Sequence, residues 1–207
     1  MKKKEVIGFI EKTLDSYFPD PKIPLKHTDP FTLLVATVLS AQATDAKVNE
    51  VTPHLFKIAP TPELLAKLSF EEVKEIIKTI GLSNTKAKAL IGLSKILVEK
   101  WGGRVPKTFA DLESLPGVGH KTASVVMVQS FQKPAFPVDT HIHRLAKRWG
   151  LSSGKNVEET EKDLKKAFPK KNWGKIHLQM IYFGRTYCKA LRHDVNNCPI
   201  CTVIFSK

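Results

Sequence analysis

Cysteine is scarce in this chain, and what there is sits at one end. Cys188, Cys198 and Cys201 are its three cysteines, all within the last 20 of 207 residues. So uneven a set cannot be the paired framework that staples small secreted domains, and a reducing, cytoplasmic setting is expected. Long apolar runs are missing too. The most apolar stretch, Phe31 to Leu39, is far shorter than the ~20 residues that cross a bilayer. The basic start Met1-Lys2-Lys3-Lys4 leads into no apolar run, so it does not read as a signal peptide, and no membrane partner is expected. Acidic residues are in deficit: 20 Asp and Glu stand against 33 Lys and Arg, a formal net charge of +13. That excess favours a polyanionic partner through Coulomb attraction and counterion release. Charge alone leaves the competing reading, lysines that merely keep a protein soluble, equally open. Alternating polar and apolar runs are absent as well, so nothing demands a sheet.

Helical spacing is what remains. Ile7, Ile10, Leu14 and Phe18 share one face. Asp29-Pro30 supplies a cap and a first-turn proline to the Phe31–Leu39 run, and Thr61-Pro62 repeats that punctuation. Ser69 and Glu72 make a capping box. Asn84 is expected to open a helix that Gly102-Gly103 closes. Further helices are predicted at about 109–114, 121–131, 140–149, 157–168 and 173–187, giving an all-α protein of about ten short helices.

The most informative stretch is Leu115-Pro116-Gly117-Val118-Gly119-His120-Lys121. Gly117 and Gly119 allow a tight hairpin, and the helix after it begins near His120. Its unpaired N–H groups and dipole then form a nest for a phosphate oxygen. Such binding reads backbone, not bases. A bare Gly-x-Gly is commonly just a corner, but Pro116, a short preceding helix and the basic composition make this a helix-hairpin-helix motif.

Lys121 falls in that helix's first turn. A cation is disfavoured there by roughly 0.3–1 kcal/mol, and partial desolvation would further ease loss of its proton. An amine nucleophile needs this, because an ordinary lysine is almost wholly protonated at neutral pH. Asp139, 18 residues later in Val138-Asp139-Thr140-His141, reads on its own as a helix N-cap. Paired with Lys121, it becomes a candidate anion for the same chemistry.

Taken together, the hairpin with its lysine and Val138-Asp139-Thr140-His141 resemble the endonuclease III family of the helix-hairpin-helix glycosylases. Leu39-Ser40-Ala41-Gln42-Ala43-Thr44-Asp45, Thr79-Ile80-Gly81-Leu82, Gly154-Lys155-Asn156-Val157-Glu158 and Phe183-Gly184-Arg185 agree, so the resemblance runs from about residue 5 to 201. Adenine-removing relatives lack the hairpin lysine and usually carry a further C-terminal domain, for which this chain ends too soon. Relatives acting on oxidised guanine share the lysine but match the surrounding motifs less.

The resemblance implies a base-excision-repair enzyme, a bifunctional DNA glycosylase and abasic-site lyase acting on oxidised pyrimidines in duplex DNA. Lys121 attacks the sugar C1′ and displaces the base, and Asp139 stabilises the cationic sugar and assists proton transfers. The resulting Schiff base permits β-elimination, cutting the strand on the 3′ side. The nucleotide must first flip out of the stack, at a cost of a few kcal/mol. By resemblance Gln42 meets the orphaned base and Leu82 is the apolar wedge. The competing readings are a helix-end core residue for Leu82 and a buried amide for Gln42. His141 and Arg144 are candidates for phosphate contacts, and Asp45 for lining the same cleft, with purely structural duties as the alternative.

The resemblance also implies two lobes with DNA in the cleft between them. A six-helix barrel spans residues 23–133, and residues 1–22 join 134–207 in the second lobe, the whole acting as a monomer on the nucleoid. The rival is a helix-hairpin-helix DNA-binding module without catalysis. No cofactor is required for the chemistry.

The family pattern fails at the end. Its members commonly hold a [4Fe–4S] cluster with four cysteines spaced six, two and five residues apart, whereas here nine residues separate Cys188 from Cys198, and Lys207 stands at the fourth position. Three readings stay open: no metal, a cluster completed by His193 or Asp194, or zinc held by Cys188, His193, Cys198 and Cys201. Lys189, Arg192 and His193 form a basic loop near these residues, a candidate to touch DNA.

One expectation rests on charge. Affinity for undamaged duplex should fall with salt at a log–log slope of about −0.9 per phosphate contacted, read from a salt titration. A flat response would contradict a basic binding surface.

Overall fold

A computed structural model describes residues 2–205. Met1, Ser206 and Lys207 lie outside the described residues, and with them the start of the basic leader and the fourth ligand position at Lys207. Among the described residues the regular structure is helical and no strand forms. The chain divides into two compact units, Ile23–Lys133 and Met1–Lys22 with Pro134–Lys207.

The second of these units opens the chain with α1 (Lys3–Tyr17). The first then holds α2 (Pro30–Ser40), α3 (Asp45–Ile58), α4 (Pro62–Leu65), α5 (Phe70–Ile76), α6 (Ser83–Trp101), α7 (Phe109–Glu113) and α8 (His120–Ser130). Its centre is α2, buried from Phe31 to Leu39 and packed by α3, α6 and α8. The start of α2 is fixed by Asp29, whose Oδ1 accepts from the Phe31 and Thr32 N–H groups at 2.8 and 3.0 Å. Such a cap contributes roughly 1 kcal/mol. Ser69 and Glu72 exchange the two bonds of the expected capping box at the head of α5. Gly102, at φ 56°, ends α6 as expected.

Two departures stand out in this unit. The helix expected to open at Asn84 begins at Ser83 with no side-chain cap, because Leu82 occupies the cap position in the left-handed region. And α3 has no counterpart in the sequence reading. Pro53 lies inside it and reads as a breaker, yet Thr44 caps its start and Val48, Val51 and Leu55 bury one face. Tertiary burial outweighs the proline.

The other unit adds α9 (Thr140–Arg148), α10 (Val157–Ala167), a 3-10 turn at Lys170–Asn172, α11 (Trp173–Thr186) and α12 (Cys201–Phe205). α11 packs against α1 and α9. Its core holds Trp149, Phe136, Phe168 and Phe183 with Ile10 and Leu14 of α1. Trp149 meets Phe183 edge-on at 5.6 Å, a geometry worth about 0.5–1.5 kcal/mol beyond the area buried.

Candidate functional site

The hairpin between α7 and α8 is built by close approach. Val118 N–H donates to the Leu115 carbonyl at 3.1 Å, closing a four-residue turn. Gly117 sits in it at φ 76°, and a Cβ there would lie 2.8 Å from the Ala89 Cβ and 3.4 Å from Val38 Cγ1. Only glycine satisfies both demands. Pro116 leans on the same helix three residues along, 3.3 Å from where a Gly92 Cβ would stand. The hairpin is therefore seated on two small residues of α6.

Gly119 is different. As N-cap of α8 it has ordinary extended backbone, φ −94° and ψ 177°, and a Cβ on it would meet nothing within 4 Å. The fold does not require glycine here; an incoming group that approaches the backbone would. No side chain caps α8, so its first N–H groups are aimed at that open side. A brace that sequence reasoning missed holds this helix start. His120 Nδ1 lies 2.7 Å from Glu113 Oε1, and the imidazole stacks on Phe109 with centroids 5.3 Å apart. Spacing of seven residues across a turn gives no sequence signal for it.

Lys121 follows as the second residue of α8, with its side chain exposed. The helix N-terminus acts on this amine.

In the same unit, Gln42 and Leu82 both adopt left-handed backbone, at φ 54° and 60°. For side chains of this size such a conformation costs about 1–2 kcal/mol each. Both are exposed, Leu82 at 56%. Their turns adjoin, since a Cβ on Gly81 would stand 3.9 Å from the Gln42 carbonyl oxygen. A buried lysine ties them together. Lys86 Nζ donates to the Leu39 and Ala41 carbonyls at 2.9 and 2.6 Å, while its backbone N–H donates to the Leu82 carbonyl at 2.9 Å. Burial pushes the Lys86 ammonium pKa down, and the carbonyls at the end of α2 offset that cost. Sequence alone could not separate Lys86 from the many surface lysines. Asp45, half-buried, lies in the first turn of α3, where an acidic residue suits the dipole.

Asp139 belongs to the other unit. It caps α9, its Oδ1 accepting from the Ile142 N–H at 2.8 Å, and it is half-buried. His141, two residues further on in the first turn of α9, is half-buried. Arg144 is drawn inward, its Nη2 donating to the Gly184 and Cys188 carbonyls, both at 3.0 Å, and lying 3.3 Å from His141 Nδ1. Burial first, then Arg148, pushes the Arg144 pKa down. Its structural duty is thus visible: it ties α9 to the end of α11 and the cysteine segment.

That segment gathers Cys188, His193, Cys198 and Cys201, whose ligand atoms all lie within 4.8 Å of one another. The three cysteines are buried and His193 is half-buried. Cys188 Sγ is 3.8 Å from Cys201 Sγ and 3.4 Å from His193 Nε2, and it accepts from Arg148 Nη1 at 3.1 Å. The contact with Cys201, then Arg148, holds the Cys188 pKa down. Burial raises Cys198, and the Cys188 contact raises Cys201. This is a possible metal site. Asp194, the other residue considered as a replacement ligand, is not in it. Its oxygens accept instead from Asn196 N–H and Asn197 Nδ2 at 2.9 and 2.6 Å. The set holds three thiols, one fewer than a [4Fe–4S] cubane takes.

An all-helical chain with a hairpin of this kind defines a class, and comparison with known proteins narrows it. The family model for HhH-GPD superfamily base excision DNA repair proteins matches residues 35–170. Endonuclease III of Bacillus subtilis (strain 168) is 44% identical over 195 residues, 94% of this chain and 89% of that one. Among solved structures, a non-covalent endonuclease III–DNA complex superposes with a TM-score of 0.93 at 42% identity, covering 98% of this chain and 95% of that chain. A trapped endonuclease III–DNA covalent intermediate, an estranged-adenine complex, gives 0.91 at 41%, covering 97% and 94%. The chain belongs to the endonuclease III family of the HhH-GPD superfamily.

The two hairpin glycines should therefore separate fold from binding. Gly117→Ala is expected to lose about 2–4 kcal/mol of stability from backbone strain and overpacking. Gly119→Ala should lose under about 1 kcal/mol, from a poorer N-cap, yet bind duplex DNA clearly more weakly. Denaturant melts and a binding titration on both variants check this. Equal affinity of Gly119→Ala and the parent would remove the hairpin from the DNA interface.

Proposed function

We propose that this chain removes oxidised pyrimidines from duplex DNA and cuts the strand at the abasic site, with Lys121 as nucleophile. One observation carries the assignment: an exposed amine in the first turn of the helix that follows a hairpin open to an anion. The hairpin amides and the uncapped start of α8 hold a backbone phosphate, which fixes the damaged nucleotide near that amine.

In the reaction, the Lys121 amine in its neutral form adds to C1′ as the glycosidic bond breaks. The bonding pair leaves with the base, which takes up a proton. Positive charge builds on the sugar in between, and the Asp139 carboxylate, oriented by its bond to Ile142 N–H, offsets that charge. Ring opening leaves an imine between Lys121 and the sugar. The imine makes the C2′ proton acidic, so its loss expels the 3′ phosphate and breaks the strand. Water then releases the enzyme. The relative caught as a covalent intermediate with DNA accords with an amine nucleophile.

Gln42 and Leu82 fill the gap left by the extruded nucleotide. Their strained, exposed turns, held by the buried Lys86, support that role, because strain of this kind gathers at working positions. His141 contributes a DNA contact beside Asp139, and Arg144 holds His141 and its helix in place. Acting on genomic DNA, the protein works inside the cell. No step is routed through the C-terminal cysteine cluster. The four-thiolate cluster that the family pattern implies finds only three thiolates here, so the segment's role is to hold its own fold and the basic residues Lys189 and Arg192. The alternative of a DNA clamp without catalysis is not favoured by the relatives.

Borohydride should trap a covalent adduct between the protein and duplex containing thymine glycol, and Lys121→Gln should abolish it with the thermal melt unchanged. Trapping by that variant at the parent's level would end the nucleophile assignment.

A further inference from the structure

The C-terminal donors disagree with the cluster that the family pattern implies, and the disagreement is specific. A single tetrahedral ion with Zn–S of about 2.3 Å and Zn–N of about 2.0 Å sets S–S edges of about 3.8 Å and S–N edges of about 3.6 Å. The structure holds Cys188 and Cys201 sulfurs 3.8 Å apart and places His193 Nε2 3.4 Å from Cys188 Sγ. All four donor atoms fall within 4.8 Å of one another. In a cubane each ligand binds a different iron, so the donors must stand outside the whole iron–sulfur core. Four donors this close suit one atom between them, not a core of eight.

We propose that Cys188, His193, Cys198 and Cys201 form a closed mononuclear site for zinc, and not a [4Fe–4S] site.

The local fold explains how the change in ligands is accommodated. Nine residues, not six, separate Cys188 from Cys198, and His193 lies in the middle of that longer loop. Asp194 shapes the loop by accepting from Asn196 N–H and Asn197 Nδ2. The neighbouring His193 points back at Cys188 Sγ. Beyond the loop, Thr202 Oγ1 donates to the Val195 and Asn196 carbonyls at 2.7 and 2.9 Å, and Thr202 N–H donates to the Cys198 carbonyl at 2.9 Å. These bonds fold the Cys-x-x-Cys segment into a knuckle. Three thiolates, one neutral imidazole and a divalent ion leave one negative charge. Arg148, donating to Cys188 Sγ at 3.1 Å, faces it. Three protein thiolates and an imidazole close the coordination sphere, so the site is structural and has no open position for a substrate. Zinc has no redox chemistry, so this segment would carry no metal-centred electron transfer.

The test uses the full chain, purified anaerobically from cells supplied with both iron and zinc, and reads metal content, not activity. One zinc per chain with little iron is expected. Exchange with Co²⁺ should give the visible d–d bands and near-ultraviolet sulfur-to-metal absorption of a tetrahedral thiolate site. His193→Ala should fail to retain stoichiometric zinc, while His193→Cys should retain it and shift the cobalt bands. Iron and acid-labile sulfide at about four per chain, expected of a cubane, would overturn the proposal. So would a Co²⁺ titration that gives no tetrahedral spectrum, or a His193→Ala protein whose zinc and cobalt spectrum match the parent's.

Discussion

The start of α8 is the point on which the rest depends. Gly117 can turn the chain only because it lacks a side chain, and it is pressed against Ala89 of α6 and Val38 of α2. That contact fixes where α8 begins, and therefore where its N-terminal N–H groups and Lys121 stand. A helix N-terminus attracts anions and disfavours cations. The same partial positive charge that receives a phosphate thus makes a neutral amine more attainable one residue away. In the proposed reaction, binding and chemistry draw on one piece of backbone electrostatics, which would set one exposed lysine apart from so many others.

A second device works by strain. Gln42 and Leu82 are held in left-handed backbone, at about 1–2 kcal/mol each, which a fold keeps only if its surroundings over-determine it. Lys86 supplies that constraint by bonding the carbonyls before one turn and, through its own N–H, the carbonyl within the other. Its burial is costly unless the ammonium finds such acceptors. The backbone beneath the two exposed side chains is therefore fixed in advance, so that the proposed filling of an opened stack would cost little further ordering.

Much of this was legible from residues alone, for identifiable reasons. Helices announced themselves where capping chemistry is local, as at Asp29, Ser69 and Gly102, and the all-α class followed. The hairpin was readable because glycine, proline and helix start lie within a few residues. α3 was not, because Pro53 carries a strong local signal that only burial of Val48, Val51 and Leu55 overrides. Lys86 and the His120–Glu113 brace were invisible, since nothing in a sequence tells a buried lysine or a cross-turn ion pair from its solvated neighbours. Asp139 shows both outcomes in one residue. The expected cap is there, at 2.8 Å from Ile142 N–H, and capping orients the carboxylate that the chemistry asks for. Arg144 was the reverse case: its type suggested phosphate, but its place beside Gly184 and Cys188 turns it toward backbone carbonyls. For the C-terminal donors, ligand count alone could not separate one ion from a cluster, and the proposal of one ion rests on their distances.

The proposed chemistry stands on a single nitrogen, and peptide mapping of the reduced protein–DNA adduct by mass spectrometry addresses it directly. After nuclease digestion, the deoxyribose remnant should be found on Lys121 and on no other amine. A remnant on any other lysine, or on the α-amino group, would contradict the account.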